Sequence, residues 1–355
     1  MSVFTAADFH EHEAVAFFHD KASGLKSIIA VHSTALGNSC GGVRMYPYAS
    51  DDEAVADVLR LSRGMSYKSA IAGLPLGGGK AVIIGDPATE KTESRLLAFA
   101  DAVNALGGRY ITAMDVGVTQ KDMPVIAGRT EYVAGYDQPG KTGGDSGPWT
   151  ALGVFLGLKA AVKQRLERDS TRGLKVAIQG LGKVGMAVAR QLHEEGANLL
   201  VADVNTEAVQ RASSAFGAQP LPVDEIVTAA CDVLSPNALG AILDDVSVPK
   251  VKAKVIAGGA NNQLARQDHG EALRGRGILY APDYVINGGG IIAVAGQMFD
   301  WSDAEIERRV RSIAETLSQI FRRASSEGAP TSLIADCIAE ERMAAGKNLR
   351  AQAAE

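Results

Sequence analysis

The residues best placed to do chemistry are two lysines on either side of a glycine run. Gly77, Gly78 and Gly79 lead directly into Lys80, and Lys68 stands upstream across Ser69-Ala-Ile-Ala-Gly-Leu-Pro-Leu76. Successive residues without side chains let a ligand lie against backbone. A lysine pressed into an apolar site beside another cation loses basicity and can serve as a neutral base near pH 7. The plainer reading is a solvated lysine after an ordinary glycine-rich turn. A phosphate-cradling loop is disfavoured, because Ala81 rather than Ser or Thr follows the lysine. Asp115 ends the strand-like residues 111–114, a place where an acid either relays a proton or caps a turn.

A second constellation is Gln179-Gly180-Leu181-Gly182-Lys183-Val184-Gly185, set between a strand-like stretch (174–178) and a helix-like one (186–195). The next strand, 197–202, ends in Asp203. Strand before, helix after and an acid about 20 residues on is the context a dinucleotide fingerprint requires. Gly180 permits the tight turn, Gly182 lets a pyrophosphate approach the helix amino end, and Gly185 lets helix and strand pack. Asp203 is expected to bind a ribose 2′-hydroxyl and repel a 2′-phosphate, which predicts NAD over NADP. Further strands at 232–234, 255–257 and 278–280 are followed by turns holding Asn237, Asn261 and Asn287. In a doubly wound sheet such strand ends face the cofactor, although turn formation alone would also explain those residues.

Other elements must position these groups. Residues 51–66 carry apolar side chains at helical spacing, which puts Lys68 at a helix end, and 81–84 reads as a short buried strand. Residues 15–18 and 25–31 read as a hairpin, and 91–106 as a helix. In Cys40-Gly41-Gly42-Val-Arg44-Met45 the paired glycines either admit a ligand to the backbone or mark a bulge. Cys40 reads as a small buried hydrophobe rather than a nucleophile. His12, His19 and His32 fit no helical metal pair and are given no role. Residues 137–147, rich in Gly, Asp and Pro, read as a linker; a helix at 150–163 follows. The charged segments 302–325 and 331–347 read as solvated faces or subunit contacts.

A chain of 355 residues exceeds what one core usually serves, which predicts two domains. A 46% hydrophobic and 22% charged composition with net charge −5 offers no electrostatic case for nucleic acid or an anionic membrane, so small metabolites are the expected partners. Three dispersed cysteines suggest neither zinc nor a disulfide framework. The amino terminus lacks a signal-peptide pattern and no run approaches about 20 apolar residues, so a cytoplasmic protein is expected.

Taken together, these stretches resemble the amino-acid dehydrogenase family that includes the leucine, valine, phenylalanine and glutamate enzymes, with the leucine enzymes nearest. The likeness rests on Cys40 to Met45, Arg63-Gly-Met-Ser-Tyr-Lys68, Leu76 to Pro87, Arg109 to Gly117, Gly180 to Gly185, Ala260-Asn-Asn-Gln263 and Ala281 to Gly290. It implies an α/β fold of two domains separated by a cleft. An N-terminal substrate and oligomerisation domain would span 1–137, completed by a C-terminal helix at 328–355, and a Rossmann-type NAD domain would span 148–327.

By the same resemblance Lys68, beside the backbone of Gly41 and Gly42, holds the substrate carboxylate, Lys80 is the catalytic lysine and Asp115 the proton relay. Thr150, the fingerprint residues Gly180 to Gly185, Asp203, Asn237 and Asn261 bind NAD, and Asn287 lies near substrate and nicotinamide. Cys40, Ala113, Ile291 and Val294 surround the substrate side chain. The implied reaction is oxidative deamination of a branched-chain L-amino acid to its 2-oxo acid and ammonia, and the reverse, in a homo-oligomer. The alternatives are a phenylalanine enzyme of the same family, a glutamate enzyme, and a non-catalytic NAD-binding protein. The chain departs from leucine-type relatives at Cys40 (usually leucine), Met114 (often glutamate), Asn237 (usually cysteine) and Gly288 (usually alanine).

Overall fold

The structure, a computed structural model, describes residues 3–138, 145–238 and 240–354. Residues 139–144 of the expected linker lie outside that set. The chain forms two compact units, one of residues 1–145, 293–302 and 339–355, the other of 146–292 and 303–338. The sequence reading places 293–302 and 328–338 in the opposite units. The reason for the difference is that helices Gly289–Met298 and Thr331–Ala354 each run from one unit into the other without a break.

The first unit is built on strands β1 (Ala14–Asp20), β2 (Leu25–Ser33), β3 (Ser39–Tyr46), β4 (Gly77–Ile84) and β5 (Tyr110–Met114), in the order β1-β2-β4-β3-β5. The β1–β2 hairpin and the β2–β4 pair are antiparallel, whereas β3 runs parallel to both β4 and β5. Helices α1 (Asp51–Ile71) and α2 (Glu93–Asn104) cover the sheet. The Ser50 hydroxyl caps α1 by accepting from the Glu53 N–H, and Asp51, Asp52 and Glu53 complement the positive end of the helix. Alternation along the strands sends Ile29, Val31, Val43, Met45, Ala81 and Ile83 toward Leu96, Phe99 and Val103 of α2. The other face sends Ile28, Ala30 and Val82 against Ala54, Val58 and Leu59 of α1.

Three expectations change here. The glycines before Lys80 are not a turn: Gly77, Gly78 and Gly79 open β4, a strand with neighbours on both sides. None of them needs a left-handed backbone; each needs the missing side chain. A Cβ on Gly77 would stand 2.0 Å from the Ser33 carbonyl oxygen, and one on Gly78 2.0 Å from the Ser66 nitrogen of α1. Likewise Cys40 to Met45 forms no isolated bulge but most of β3, paired on both edges. The helix expected to end near Lys68 continues to Ile71, because Ser62, Ser66 and Ser69 are buried and break the apolar periodicity without breaking the helix. Gly78→Ala is therefore expected to cost at least ~1–3 kcal/mol by overpacking. Urea unfolding at constant m-value measures it, and an unchanged midpoint would show that α1 yields freely.

The histidines tie this arrangement together. His12 Nε2 lies 3.1 Å from the Leu59 carbonyl and 3.0 Å from the Ser62 hydroxyl, while His32 Nδ1 bonds Ser66 Oγ at 2.8 Å. Burial pushes the His32 imidazole down to about 3, so it stays neutral against α1.

After a short helix α3 (Met123–Ala127), the second unit begins with α4 (Gly147–Leu166). It then alternates β6 (Lys175–Gln179), α5 (Lys183–Glu194), β7 (Asn198–Ala202), α6 (Thr206–Phe216), β8 (Gln219–Pro220), β9 (Val233–Pro236), β10 (Val255–Ile256), α7 (Asp268–Gly275) and β11 (Leu279–Tyr280). Helices α8 (Asp283–Ile286), α9 (Gly289–Met298), α10 (Asp303–Glu327) and α11 (Thr331–Ala354) complete the chain. All strands pair in parallel in the order β11-β10-β9-β6-β7-β8, with the topological switch between β6 and β9. That is the strand order of the doubly wound dinucleotide fold. The stripe Ile306, Val310, Ile313, Leu317, Ile320 and Ala324 buries one face of α10, and Gly157 lets α4 approach Leu317 and Ile286. Among the described residues no helix is long and apolar enough to cross a membrane.

Candidate active site

Strand pleating decides which first-unit groups meet. Residues two apart share a face, so Cys40, Gly42 and Arg44 of β3, Gly78 and Lys80 of β4, and Ala113 with Asp115 at the end of β5 all face the α1 side. Lys80 is only 6% exposed and donates to Asp115 Oδ2 at 2.7 Å. Burial lowers the Lys80 amine from its ordinary value, with Asp115 opposing and the Arg44 charge assisting. Burial alone would raise the Asp115 carboxyl, but Lys80 and Arg44 outweigh it and hold the group below the usual carboxylate range. The pair is thus a buried amine of lowered basicity touching a carboxylate held toward its charged form.

The glycines of β3 make room for this contact. A Cβ on Gly42 would lie 2.5 Å from the Met114 carbonyl oxygen and 2.9 Å from Asp115 Cβ. Gly41 is pinned by Tyr110, whose hydroxyl donates to its carbonyl at 2.6 Å. Lys68 sits on α1 one turn beyond Met65, whose side chain comes within 3.3 Å of where a Gly41 Cβ would be. Cys40 is fully buried, and burial pushes its thiol up to about 12, so it behaves as an apolar group. Ala113 and Val294 converge on Gly135, which Gln297 of α9 clamps by accepting from its N–H at 2.7 Å.

Sequence reasoning left Arg44 without a role. Its Nε donates to the same Asp115 oxygen at 3.1 Å, and its guanidinium also holds Asp57 of α1 at 2.8 Å. The signal that would have found it is its two-residue spacing from Gly42, usable only once β3 is known to be a strand.

The second unit gathers the other predicted residues at the carboxyl ends of its strands. Gly180 has a φ of +91°, and a Cβ there would lie 2.7 Å from Ala238. A Cβ on Gly185 would strike the Gly180 carbonyl at 1.9 Å, whereas one on Gly182 would meet nothing within 4 Å. Gly182 opens α5, whose first turn, carrying Lys183 and Val184, has no side-chain cap, so the helix amino end faces open space as a bound pyrophosphate requires. Asp203 accepts from the Leu181 N–H at 2.5 Å and from the Asn205 N–H at 2.7 Å, which fixes its carboxylate beside the fingerprint turn. Asn237, at the switch point, accepts from the Gly259 N–H at 2.9 Å. Asn287, 4% exposed, donates to Asn261 Oδ1 at 2.6 Å and to the Gly259 carbonyl at 3.1 Å. Thr150 on α4 packs beside Gly290, and Ile291 follows, buried. The residues present fit a dinucleotide.

A parallel six-stranded sheet with this fingerprint defines a dinucleotide-binding α/β protein, and the buried lysine–aspartate pair of the other unit suits chemistry at an amino-bearing carbon. Residues 12–132 match the Glu/Leu/Phe/Val dehydrogenase dimerisation domain, and 145–209 and 199–350 match the Glutamate/Leucine/Phenylalanine/Valine dehydrogenase family. The chain is 46% identical to a leucine dehydrogenase of Geobacillus stearothermophilus over 343 residues, 97% of this chain and 94% of that protein. A valine dehydrogenase of Streptomyces virginiae is 48% identical over 335 residues, 94% of each. The crystal structure of L-tryptophan dehydrogenase from Nostoc punctiforme superposes with a TM-score of 0.84 at 43% identity, covering 95% of this chain and 97% of that one. The chain belongs to the Glu/Leu/Phe/Val dehydrogenase family. It is an amino-acid dehydrogenase of the leucine, valine and tryptophan type, dependent on a nicotinamide dinucleotide.

Proposed function

We propose that the protein oxidatively deaminates branched-chain L-amino acids, leucine foremost with valine and isoleucine, using NAD, and runs the reverse reductive amination. The observation that carries the reading is the Lys80–Asp115 contact, in which the buried amine is lowered and the carboxylate stays charged. NAD, held by the fingerprint residues with Thr150, Asp203, Asn237 and Asn261, supplies the acceptor for the hydride leaving the substrate α-carbon. Lys68 binds the substrate carboxylate against the Gly41 and Gly42 backbone, and Asn287 positions the reacting end. Neutral Lys80 takes a proton from the water that attacks the iminium carbon, and Asp115 carries protons to and from the nitrogen as the carbinolamine collapses to 2-oxo acid and ammonia. The first unit, matched by a dimerisation domain, serves as the contact of a homo-oligomer.

Amino-acid oxidation followed through nicotinamide absorbance, with NAD and NADP in parallel, tests the reading. Leucine, valine and isoleucine should turn over with NAD, and a protein inert toward every amino acid would overturn it. Cofactor choice rests on Asp203. Asp203→Ser removes the charge that repels a 2′-phosphate and should narrow the NAD-to-NADP ratio of catalytic efficiency by about 10- to 100-fold. Because Asp203 also anchors Leu181 and Asn205, both cofactors should bind less well, so the ratio is the quantity to read. A ratio that does not change would remove Asp203 from cofactor selection.

A further inference from the structure

Two cations share one oxygen of Asp115. Lys80 Nζ reaches Oδ2 at 2.7 Å and Arg44 Nε reaches the same atom at 3.1 Å, both from neighbouring strands. Arg44 does not end there. Its other nitrogen pairs with Asp57 Oδ2 at 2.8 Å, and Asp57 in turn accepts from Tyr48 at 2.7 Å and from Arg60 at 2.9 Å. We propose that Arg44 is a positioning residue for the deamination chemistry, fixing the Asp115 carboxylate that Lys80 touches. Its permanent charge also acts against a proton on the neighbouring amine. The inference rests on the reading of Lys80 as the base.

A guanidinium spans the two carboxylates in one plane, a geometry that a lysine would reproduce only in charge. The ionisable groups seen to act on or beside Lys80 include Asp115 from the end of β5, Arg44 and Cys40 from β3, and Asp57 from α1. Around Asp115 stand Lys80, Arg44, Tyr48 and Tyr110. Among these named groups Arg44 is a cation that acts against a proton on Lys80. Asp57 acts in the opposite direction, because its negative charge offsets Arg44 and favours a protonated Lys80. Arg44, Tyr48, Asp57 and Arg60 also line a cavity of 520 Å³ with Tyr46 and Glu53, so a neutral amide at position 57 can be solvated there.

The test uses Arg44→Gln, Arg44→Lys and Asp57→Asn in the full-length protein. The first readout needs no cofactor: the rate at which dinitrofluorobenzene labels Lys80, followed by peptide mass spectrometry against pH, reports the neutral amine. The second is the pH profile of kcat, with KM for leucine measured alongside. Arg44→Gln should move the labelling midpoint and the rising limb of kcat upward by about one pH unit. Arg44→Lys should restore most of that shift because it returns the charge, and Asp57→Asn should move both curves downward. KM should change less than kcat. A role confined to the fold would lower kcat at every pH without moving the limb. Curves for Arg44→Gln that superimpose on wild type, or Arg44→Gln and Asp57→Asn shifting the same way, would overturn the proposal. A Lys80→Ala enzyme with normal turnover would instead strike the underlying reading, while the labelling midpoints would still report on Arg44.

Discussion

Replacing Lys80 by alanine should lower kcat by at least ~10² to 10⁴, the usual contribution of a positioned general base. The loss should be catalytic rather than structural. Asp115 keeps Arg44 as a partner when Lys80 goes, so no carboxylate is left buried and alone. The fingerprint residues proposed to hold NAD belong to the other unit, so NAD affinity by fluorescence titration should be preserved. The pH dependence follows from the same contact. A base works when neutral, and burial lowers the Lys80 amine below an ordinary lysine, so activity should rise with pH through a value lower than that of a free lysine. Below it the amine is protonated and turnover falls. Lys80→Arg keeps the charge yet cannot become neutral, and should be as inactive as the alanine variant at every pH. Recovery of near-normal turnover in either variant would take proton abstraction away from Lys80.

How much of this was legible in the sequence depended on whether the reason for a residue is local. The fingerprint is local: Gly180, Gly182 and Gly185 meet strand, turn and helix within a few residues, and the sequence places them at the junction of β6 and α5, although the helix starts at Lys183 and already contains Gly185. The glycines of β3 and β4 are not. Their composition speaks against a strand, and only the approach of Ser66, Ser33 and Asp115 from elsewhere in the chain explains why side chains are excluded. Hidden for a related cause is Arg44, whose partners lie 71 and 13 residues away. The sequence offers Lys80 and Asp115 one by one as candidates, but that they touch is information the pairing of β3 with β4 and β5 supplies.

Glutamate should be a poor substrate by about three orders of magnitude or more relative to leucine, since burying its side-chain carboxylate unpaired costs several kcal/mol. The first-unit side chains proposed to meet the substrate side chain are Cys40, Ala113 and Val294. Ala113 and Val294 both approach the Gly135 backbone, and neither offers a charge or a hydrogen bond. Cys40 could supply a charge only as thiolate, and burial pushes that ionisation up to about 12. Ile291, in the second unit, is likewise apolar and buried. Among aliphatic substrates discrimination is soft, because one methylene is worth ~1–3 kcal/mol, so leucine, isoleucine and valine should fall within about 10² of one another in catalytic efficiency. Aromatic rings test the size of the site rather than its polarity. On the proposed assignment Cys40, smaller than the leucine usual in leucine-type relatives, would give space and branched Ile291 would take space away, a balance that ranks phenylalanine and tryptophan below leucine. Catalytic efficiencies on leucine, isoleucine, valine, phenylalanine, tryptophan and glutamate at one pH decide the matter. An aromatic preference would place the protein beside its tryptophan-oxidising relative, and its cause would be checked by Cys40→Leu, which should then suppress the rings and spare valine. A glutamate preference would mean that a cation reaches the side chain, and the apolar account of Cys40, Ala113 and Val294 would fall with it.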